Sequence, residues 1–277
     1  MLDNFLIDKH VLAALEEDIG FGDITTDNLV KEGAVLTAKL NTRSEGILCG
    51  LKVFERVFKL LSDCVEIKFN FNDGDLIKAG DTIAIISGPA DAVLKGERTA
   101  LNYIQRMSGI ATETRRYQDA IGNNKAKISD TRKTTPNFRA FEKYSVFVGG
   151  ACIHRFNLAD CAMIKDNHIK LAGSISVAVN EIRKRISHTH KIEVECDTLE
   201  QVKEAVTCGA DIIMLDNMSC AVMKQAVDFI NGRAIIEASG NVNINTVNEI
   251  AKTGVDIISS SAIVAKAPTL DLALDID

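Results

Sequence analysis

The sequence lacks several features that mark other classes of protein. It has no tryptophan, three tyrosines and only three prolines, so Pro-rich linkers and polyproline binding segments are excluded. Its apolar runs all fall short of the roughly 18 residues that a membrane-spanning helix needs. The first twenty residues carry acidic side chains where a signal peptide would carry positive ones. These absences predict a cytoplasmic protein that does not bind membranes.

Paired cysteines and an excess of positive charge are also missing. The seven cysteines are odd in number and include no Cys-x-x-Cys pair, which indicates reduced thiols, most of them buried. Lys and Arg total 32 against 38 Asp and Glu, giving a net charge of −6. A chain this acidic is a poor candidate for nucleic-acid binding.

Positive charge is nevertheless concentrated in one segment. Residues 131–170 hold seven Lys or Arg and three Asp or Glu, a local balance of +4, so the other residues carry −10. A basic segment in an acidic protein predicts a pocket for a small anion with several charges.

What the sequence does contain is a strand-then-helix pattern from about residue 125 onward. Six apolar runs each end in polar residues, and the last four start about 20 to 22 residues apart: AKISDTRK, DCAMIKDNH, KIEVECD, DIIMLDN, RAIIEASGN and VDIISSSA. A closed eight-stranded barrel takes about 250 residues. We therefore predict an α/β fold in which residues 111–277 form an incomplete parallel βα barrel of six or seven strands, with the final residues packing back on the first domain.

Residues 1–110 are predicted to form an α+β sandwich domain. Helices are expected at 10–18 and 51–61, and strands at 35–40, 47–48, 65–71 and 82–87. The stretch 71–90 has the half-barrel hairpin pattern of lipoyl and biotinyl carrier domains, although no lysine stands at a hairpin tip. A helix from about 96 to 121 connects the two halves, and Ser108-Gly109 within it indicates a close contact or a break.

Charged and small residues follow the predicted parallel strands. Because the carboxyl ends of parallel strands meet at one edge, we expect the following side chains to lie together: Arg132, Lys133, Lys165, Glu195, Asp216, Ser239, Gly240 and Ser259 to Ser261. The cations suit carboxylates or phosphates, the two carboxylates suit ribose hydroxyls or Mg²⁺, and the small residues suit a phosphate. A Schiff-base role for Lys165, as in barrel aldolases, and a non-enzymatic carrier or scaffold remain alternatives.

Several longer blocks resemble one enzyme family, the quinolinate phosphoribosyltransferases. The blocks cover nearly the whole chain, and TRKT, HR and IKDNH are the most specific of them: EEDIGFGDITT (16–26), GERTALNYIQRMSGIAT (96–112), DTRKTTPNFRAFEKYSVFVGG (130–150), HRFNLADCAMIKDNHI (154–169), IEVECDTLEQ (192–201), GADIIMLDNM (209–218) and EASGNVN (237–243).

The resemblance implies a reaction of quinolinate with phosphoribosyl pyrophosphate (PRPP) that yields nicotinate mononucleotide, pyrophosphate and CO₂. It implies Mg²⁺ carried by PRPP near Glu195 and Asp216, no organic cofactor, and a homodimer with shared active sites. A related phosphoribosyltransferase that does not decarboxylate, such as the molybdenum-operon paralogue, is a further alternative.

The resemblance also implies roles for individual residues. The quinolinate carboxylates are assigned to Arg132, His154, Arg155, Lys165 and an Arg98 lent by the neighbouring subunit. The catalytic set is Lys133, Glu195 and Asp216. These three also bind PRPP, together with Thr131, Ser239, Gly240, Asn241, Ser260 and Ser261. The last loop departs from the family, which usually has glycine where this chain has Ser261.

Overall fold

The computed structural model describes residues 2–276. Its helices are α1 (Asn4–Ile19), α2 (Ile24–Leu29), α3 (Leu51–Leu61), α4 (Ala90–Ile121), α5 (Arg139–Val148), α6 (Asp166–Ala172), α7 (Ile175–Arg183), α8 (Leu199–Thr207), α9 (Cys220–Ile230), α10 (Val247–Ala251) and α11 (Ala262–Ala265). Its strands are β1 (Val35–Thr42), β2 (Gly46–Ile47), β3 (Glu66–Phe69), β4 (Leu76–Ile77), β5 (Thr82–Pro89), β6 (Lys127–Ser129), β7 (Ala162–Ile164), β8 (Ile192–Cys196), β9 (Ile212–Asp216), β10 (Ile235–Ser239), β11 (Ile257–Ser259) and β12 (Leu272–Ile276).

The described residues form two compact units. One consists of 2–115, 140–150 and 267–276, and the other of 116–139 and 151–266. Among the helices described, none combines the length and the apolar character that crossing a bilayer requires.

The first unit is built on an antiparallel sheet with the strand order β12-β1-β5-β3. Strands β2 and β4 pair separately as a short antiparallel ribbon. Helix α1 begins at Asn4, because the Asp3 carboxylate accepts the Leu6 amide and so caps it. It is therefore longer than the helix expected at 10–18.

Helix α4 also differs from expectation, since it begins at Ala90 and runs unbroken through Ser108-Gly109. The Ser108 hydroxyl accepts the Cys49 amide at 2.9 Å and donates to the Cys49 carbonyl at 3.1 Å. A Cβ on Gly109 would lie 1.9 Å from the Pro268 carbonyl oxygen. The pair therefore marks a close contact and not a break.

The second unit holds an open parallel sheet of six strands in the order β6-β11-β10-β9-β8-β7. Apart from Glu193 in β8 and Glu237 in β10, the buried residues within the strands are mostly apolar, as parallel strands covered by helices require. The fold is thus α/β, with a six-stranded parallel sheet and a separate antiparallel sheet. Strands β6 and β7 form the two edges, and the sheet is not closed.

Candidate active site

A pocket of about 460 Å³ lies at the carboxyl ends of the parallel strands. It is lined by Thr131, Arg132, Lys133, His154, Arg155, Met163, Lys165, Glu195, Met214, Asp216, Glu237, Ser239 and Ser259. Each strand of the sheet contributes its last residues or the loop that follows, which is where open α/β sheets bind ligands.

The loop after β6 supplies cations. The Lys133 amide donates to the Thr131 hydroxyl at 3.0 Å, which tightens the turn. Burial lowers the pKa of Arg132, and the neighbouring charges of Arg155 and Arg139 lower it further. The buried Nε of Arg132 has no hydrogen-bond partner within residues 2–276. An anion in the pocket would reduce the repulsion between the arginines and would accept a hydrogen bond from the Arg132 Nε.

His154 and Arg155 follow Cys152, which bridges to Ser129 at the end of β6. One guanidinium nitrogen of Arg155 donates to the Cys161 carbonyl at 2.8 Å, and another lies 3.5 Å from the Met163 sulfur. The Arg155 Nε is buried without a hydrogen-bond partner in the described chain. These contacts hold the guanidinium against β7, beside the pocket.

Lys165 follows β7, and its ammonium is paired with the Glu195 carboxylate on the adjacent strand β8. Asp166 pairs with Lys170 instead. An ammonium paired in this way is not a nucleophile, so the arrangement does not favour a Schiff-base lysine. The pair joins the cationic side of the pocket to its carboxylates.

The loops after β9 and β10 are fixed against each other. The Asn217 side-chain amide donates to Asp216 at 2.8 Å, and the Asn217 backbone amide donates to the Ser239 carbonyl at 3.0 Å. Asn241 donates to the Asn217 side-chain oxygen at 3.0 Å. Gly240 has a φ of +91°, and a Cβ there would lie 2.2 Å from that same oxygen. Only glycine therefore fits between these loops.

The structure brings most of the predicted site residues into this pocket. Those outside its lining are Arg98, Gly240, Asn241, Ser260 and Ser261. Arg98 is exposed on α4 in the first unit. Gly240 and Asn241 belong to the loop just after Ser239. The Ser260 hydroxyl is buried and donates to the Val242 carbonyl at 3.3 Å, while Ser261 is half-buried at the start of α11.

Four further residues are lining or supporting groups that the sequence-based set lacks: Met163, Glu193, Met214 and Glu237. The signal that could have found them is the two-residue period of a strand. Met163, Glu193, Met214 and Glu237 each precede a predicted strand-end residue by two positions and therefore face the same way. Ser259, one of the predicted strand-end residues, ends β11 and also lines the pocket.

Comparison with known proteins gives matches along almost the whole chain. The family model described as quinolinate phosphoribosyl transferase, N-terminal domain, matches residues 23–108, and the model of the C-terminal domain matches residues 110–275. Two similar proteins are named probable nicotinate-nucleotide pyrophosphorylase [carboxylating]. The one from Synechocystis is 42% identical and the alignment covers 98% of this chain and 92% of that protein. The one from Bacillus subtilis is 41% identical, covering 94% and 90%.

A crystal structure of NadC from Streptococcus pyogenes has a TM-score of 0.96 at 40% identity, covering 100% of this chain and 99% of that one. Sequence motifs, two adjacent family models and a full-length structural match thus agree, and this chain belongs to the quinolinate phosphoribosyltransferase family.

Proposed function

We propose that this protein transfers the phosphoribosyl group of PRPP to quinolinate with loss of CO₂, giving nicotinate mononucleotide and pyrophosphate for NAD biosynthesis. The observation that carries the proposal is the composition of the pocket, nearly all of whose lining residues lie in the sequence blocks that resemble the family. Cations from the β6 and β7 side face two carboxylates at the ends of β8 and β9 in a single cavity. Such a pocket suits an aromatic dicarboxylate beside a phosphosugar.

The quinolinate end consists of Arg132, His154, Arg155 and Lys165. Quinolinate carries two neighbouring carboxylates, and guanidinium groups can bind a carboxylate through two parallel hydrogen bonds. The unpartnered Nε atoms of Arg132 and Arg155 support this assignment, because each has a donor still to satisfy. The Lys165 ammonium, which is paired with Glu195, would also form an ion pair with a carboxylate of the substrate.

The PRPP end consists of the catalytic residues Lys133, Glu195 and Asp216, together with small-residue loops. We assign the pyrophosphate to Thr131 and Lys133, and the ribose to Glu195 and Asp216, whose carboxylates can accept hydrogen bonds from its hydroxyls; all four residues line the same pocket, which supports the assignment. The 5′-phosphate is assigned to Ser239, Gly240 and Asn241, whose backbone can approach an anion closely at glycine. Ser260 and Ser261 are assigned to this end as well. Ser260 donates its backbone amide to the Ser129 carbonyl and its hydroxyl to the Val242 carbonyl, so Ser261 would make the direct contact with the phosphate.

The chemistry begins as the bond between ribose C1 and the pyrophosphate oxygen lengthens. Positive charge develops on the sugar, as in glycoside cleavage, and Glu195 and Asp216 stabilise it. The pyridine nitrogen then bonds to C1 and becomes a quaternary cation. The C–C bond to the adjacent carboxylate then breaks with loss of CO₂. The electron pair stays on that ring carbon, where the neighbouring cationic nitrogen stabilises it, and takes up a proton from solvent. The chain's main contribution is to hold two anions in contact despite their repulsion.

Magnesium fits this site as a companion of PRPP. Carboxylate oxygens are ligands that Mg²⁺ prefers, and Glu195 and Asp216 present them to one cavity. When bound, the ion neutralises part of the pyrophosphate charge. The cationic ring nitrogen stabilises the carbanion left by CO₂, so the proposal includes no organic cofactor.

We further propose that the six parallel strands form an incomplete barrel and that the protein works as a cytoplasmic homodimer. Arg98 would then reach the quinolinate of the neighbouring subunit. Its exposure on α4 leaves its guanidinium accessible to a second chain, which supports this role.

The direct test is to incubate the purified protein with quinolinate, PRPP and Mg²⁺ and to measure CO₂ and nicotinate mononucleotide. We expect equimolar formation of both, dependent on PRPP. Folded protein that releases no PRPP-dependent CO₂ would contradict the proposal. Pyrophosphate release with a different base and without CO₂ would instead identify a non-decarboxylating phosphoribosyltransferase.

A further inference from the structure

Two buried glutamates lie beneath the cationic side of the pocket. Glu193 on β8 and Glu237 on β10 are 1% and 4% exposed. Nε2 of His154 lies 3.4 Å from Glu237 Oε1 and 3.6 Å from Glu193 Oε2. Burying two carboxylates is costly unless they have a partner, so their position calls for an explanation.

The other atoms of His154 are also engaged. Its Nδ1 accepts the Arg155 backbone N–H at 2.8 Å, and its own backbone N–H donates to the buried Asp130 at 2.7 Å. With Nδ1 acting as an acceptor, the ring proton belongs on Nε2, where it faces the two carboxylates. The ring is therefore held in one tautomer and one orientation.

We propose that Glu193 and Glu237 are positioning residues, which hold the His154 ring and through it the Arg155 turn in the geometry that binds quinolinate. The inference rests on the proposed roles of His154 and Arg155. The connection runs from the two strands to Nε2, across the imidazole to Nδ1, and from there to the Arg155 amide. The Arg155 side chain is then anchored by Cys161.

The same two carboxylates supply negative charge beside the arginines of the pocket. Burial lowers the pKa of Arg132, and the nearby charges of Arg155 and Arg139 lower it further. Burial would lower the pKa of His154, and Glu193 and Glu237 raise it, which favours the proton on Nε2 that faces them. A proton on Nδ1 is disfavoured, because that atom already accepts a hydrogen bond from the Arg155 backbone N–H. Glu193 and Glu237 face the ring, and Asp130 accepts a hydrogen bond from the His154 backbone N–H.

A divalent cation is the competing occupant of this cluster. Ligand atoms of His154, Glu193 and Glu237 lie within 4.8 Å of one another, which is close enough to share an ion. A metal on Nε2 would need the ring proton on Nδ1, where the Arg155 amide already donates. The nearby arginines would also repel the ion. The geometry thus favours a proton between histidine and carboxylates.

The test compares E193Q, E237Q and the double variant with E200Q, a glutamate exposed on α8. Glutamine keeps the shape and removes the charge. We expect the KM for quinolinate to rise about tenfold in each single variant, the size of one hydrogen bond to a charged group. The KM for PRPP should stay within about twofold, and kcat at saturating quinolinate should fall less than KM rises.

Nitrogen-15 NMR of labelled histidine provides the second readout. The chain has five histidines, and H154N identifies the signal of His154. We expect Nε2 to be protonated in the unmodified protein and its shift to move toward a mixture of tautomers in E193Q and E237Q. An unprotonated Nε2, or signals unchanged in both variants, would overturn the inference.

The remaining outcomes separate the inference from the proposed function. If H154A and R155A leave the KM for quinolinate unchanged, the proposed roles of those residues fail. If they raise it and the glutamine variants do not, the positioning role alone fails. An equal rise in both KM values would indicate a general structural defect. Stoichiometric zinc or manganese in the purified protein, lost in E193Q or E237Q, would identify a metal site and overturn the inference.

Discussion

At the scale of one residue, Arg132 shows how a bound anion would stabilise a cationic side chain of the pocket. Its guanidinium is partly buried among other cations, and its Nε has no hydrogen-bond partner among the residues described. Without an anion the side chain loses solvation and meets repulsion. A carboxylate would satisfy its donors through two parallel hydrogen bonds, so most of the benefit falls on quinolinate.

Replacing Arg132 by alanine should therefore weaken quinolinate binding more than PRPP binding. We expect the KM for quinolinate to rise about 10- to 100-fold, as for loss of charged hydrogen bonds, with a much smaller change for PRPP. Arg132→Lys keeps the charge but loses the planar fork and should lie between. Arg185→Ala, at an exposed arginine that pairs with Glu181, is the control. Equal losses for both substrates would contradict the assignment.

Gly240 supports a second prediction at this scale, because two effects coincide there. Its φ of +91° favours glycine, and a Cβ would lie 2.2 Å from the Asn217 side-chain oxygen. Gly173 has nearly the same φ, +93°, but no atom within 4 Å of the added Cβ. Gly173→Ala thus measures backbone strain alone, about 1 to 2 kcal/mol.

Gly240→Ala should lower stability further than Gly173→Ala and should also raise the KM for PRPP by about tenfold or more, since small displacements at a site are costly. Thermal unfolding and steady-state kinetics on both variants provide the check. Identical behaviour of the two would show that the loop yields to the added methyl group and that the contact with Asn217 is unimportant.

The site could be predicted at the strand ends but not one layer below them. Lys165, Glu195 and Asp216 are charged residues at the ends of apolar runs, so the sequence alone identifies them as candidate site residues. Glu193 and Glu237 lie inside strands whose neighbours are apolar, where a carboxylate is expected to be an exposed edge residue. Their burial depends on His154, which comes from a distant loop, and that contact is visible only in the folded chain.

At the scale of elements, local pattern determines the parallel strands and helix α3. The six apolar runs became β6 to β11, and α3 spans the expected residues 51 to 61. The sequence predicts that the final residues pack on the first domain but not that β12 pairs with β1, because this pairing joins residues more than two hundred positions apart. Strand β4 has two residues, which is too few for a periodic signal.

Helix α4 offers a prediction about packing. Alanine is a better helix former than glycine by about 1 kcal/mol, so Gly109→Ala would stabilise an isolated helix. Here the added Cβ would meet the Pro268 carbonyl oxygen at 1.9 Å, and overpacking costs about 1 to 3 kcal/mol. We expect a net loss of stability, seen as a lower Tm.

Gly96→Ala, in the same helix, is the matched control. Its Cβ would meet side-chain atoms of Phe58 and Leu61 at 2.9 to 3.0 Å, which can move, whereas a backbone carbonyl cannot move without its strand and loop. The Tm of Gly96→Ala should therefore fall less than that of Gly109→Ala. The reverse order would mean that the segment around Pro268 is free to shift.

At the scale of the whole molecule, charge is divided between a basic pocket and an acidic remainder. The net charge is −6, yet the segment 131–170 carries +4. An acidic surface opposes non-specific binding of polyanions, while the pocket still attracts small ones. The segment 131–170 does not contain every cation assigned to the site, because Arg98 lies outside it and is proposed to act from a second chain.

Subunit mixing tests that proposal directly. Arg98→Ala and Asp216→Asn should each be nearly inactive alone. In a mixed dimer, the subunit with Arg98→Ala keeps its own Asp216 and would receive Arg98 from its partner, so one intact site forms. Random assortment makes half the dimers mixed, which restores about a quarter of the unmodified activity. If Arg98 acts within its own chain, every site in the mixture lacks one residue and activity stays at the level of the parents. Asp216→Asn with Lys133→Ala, two changes assigned to one pocket, should fail to complement in either case.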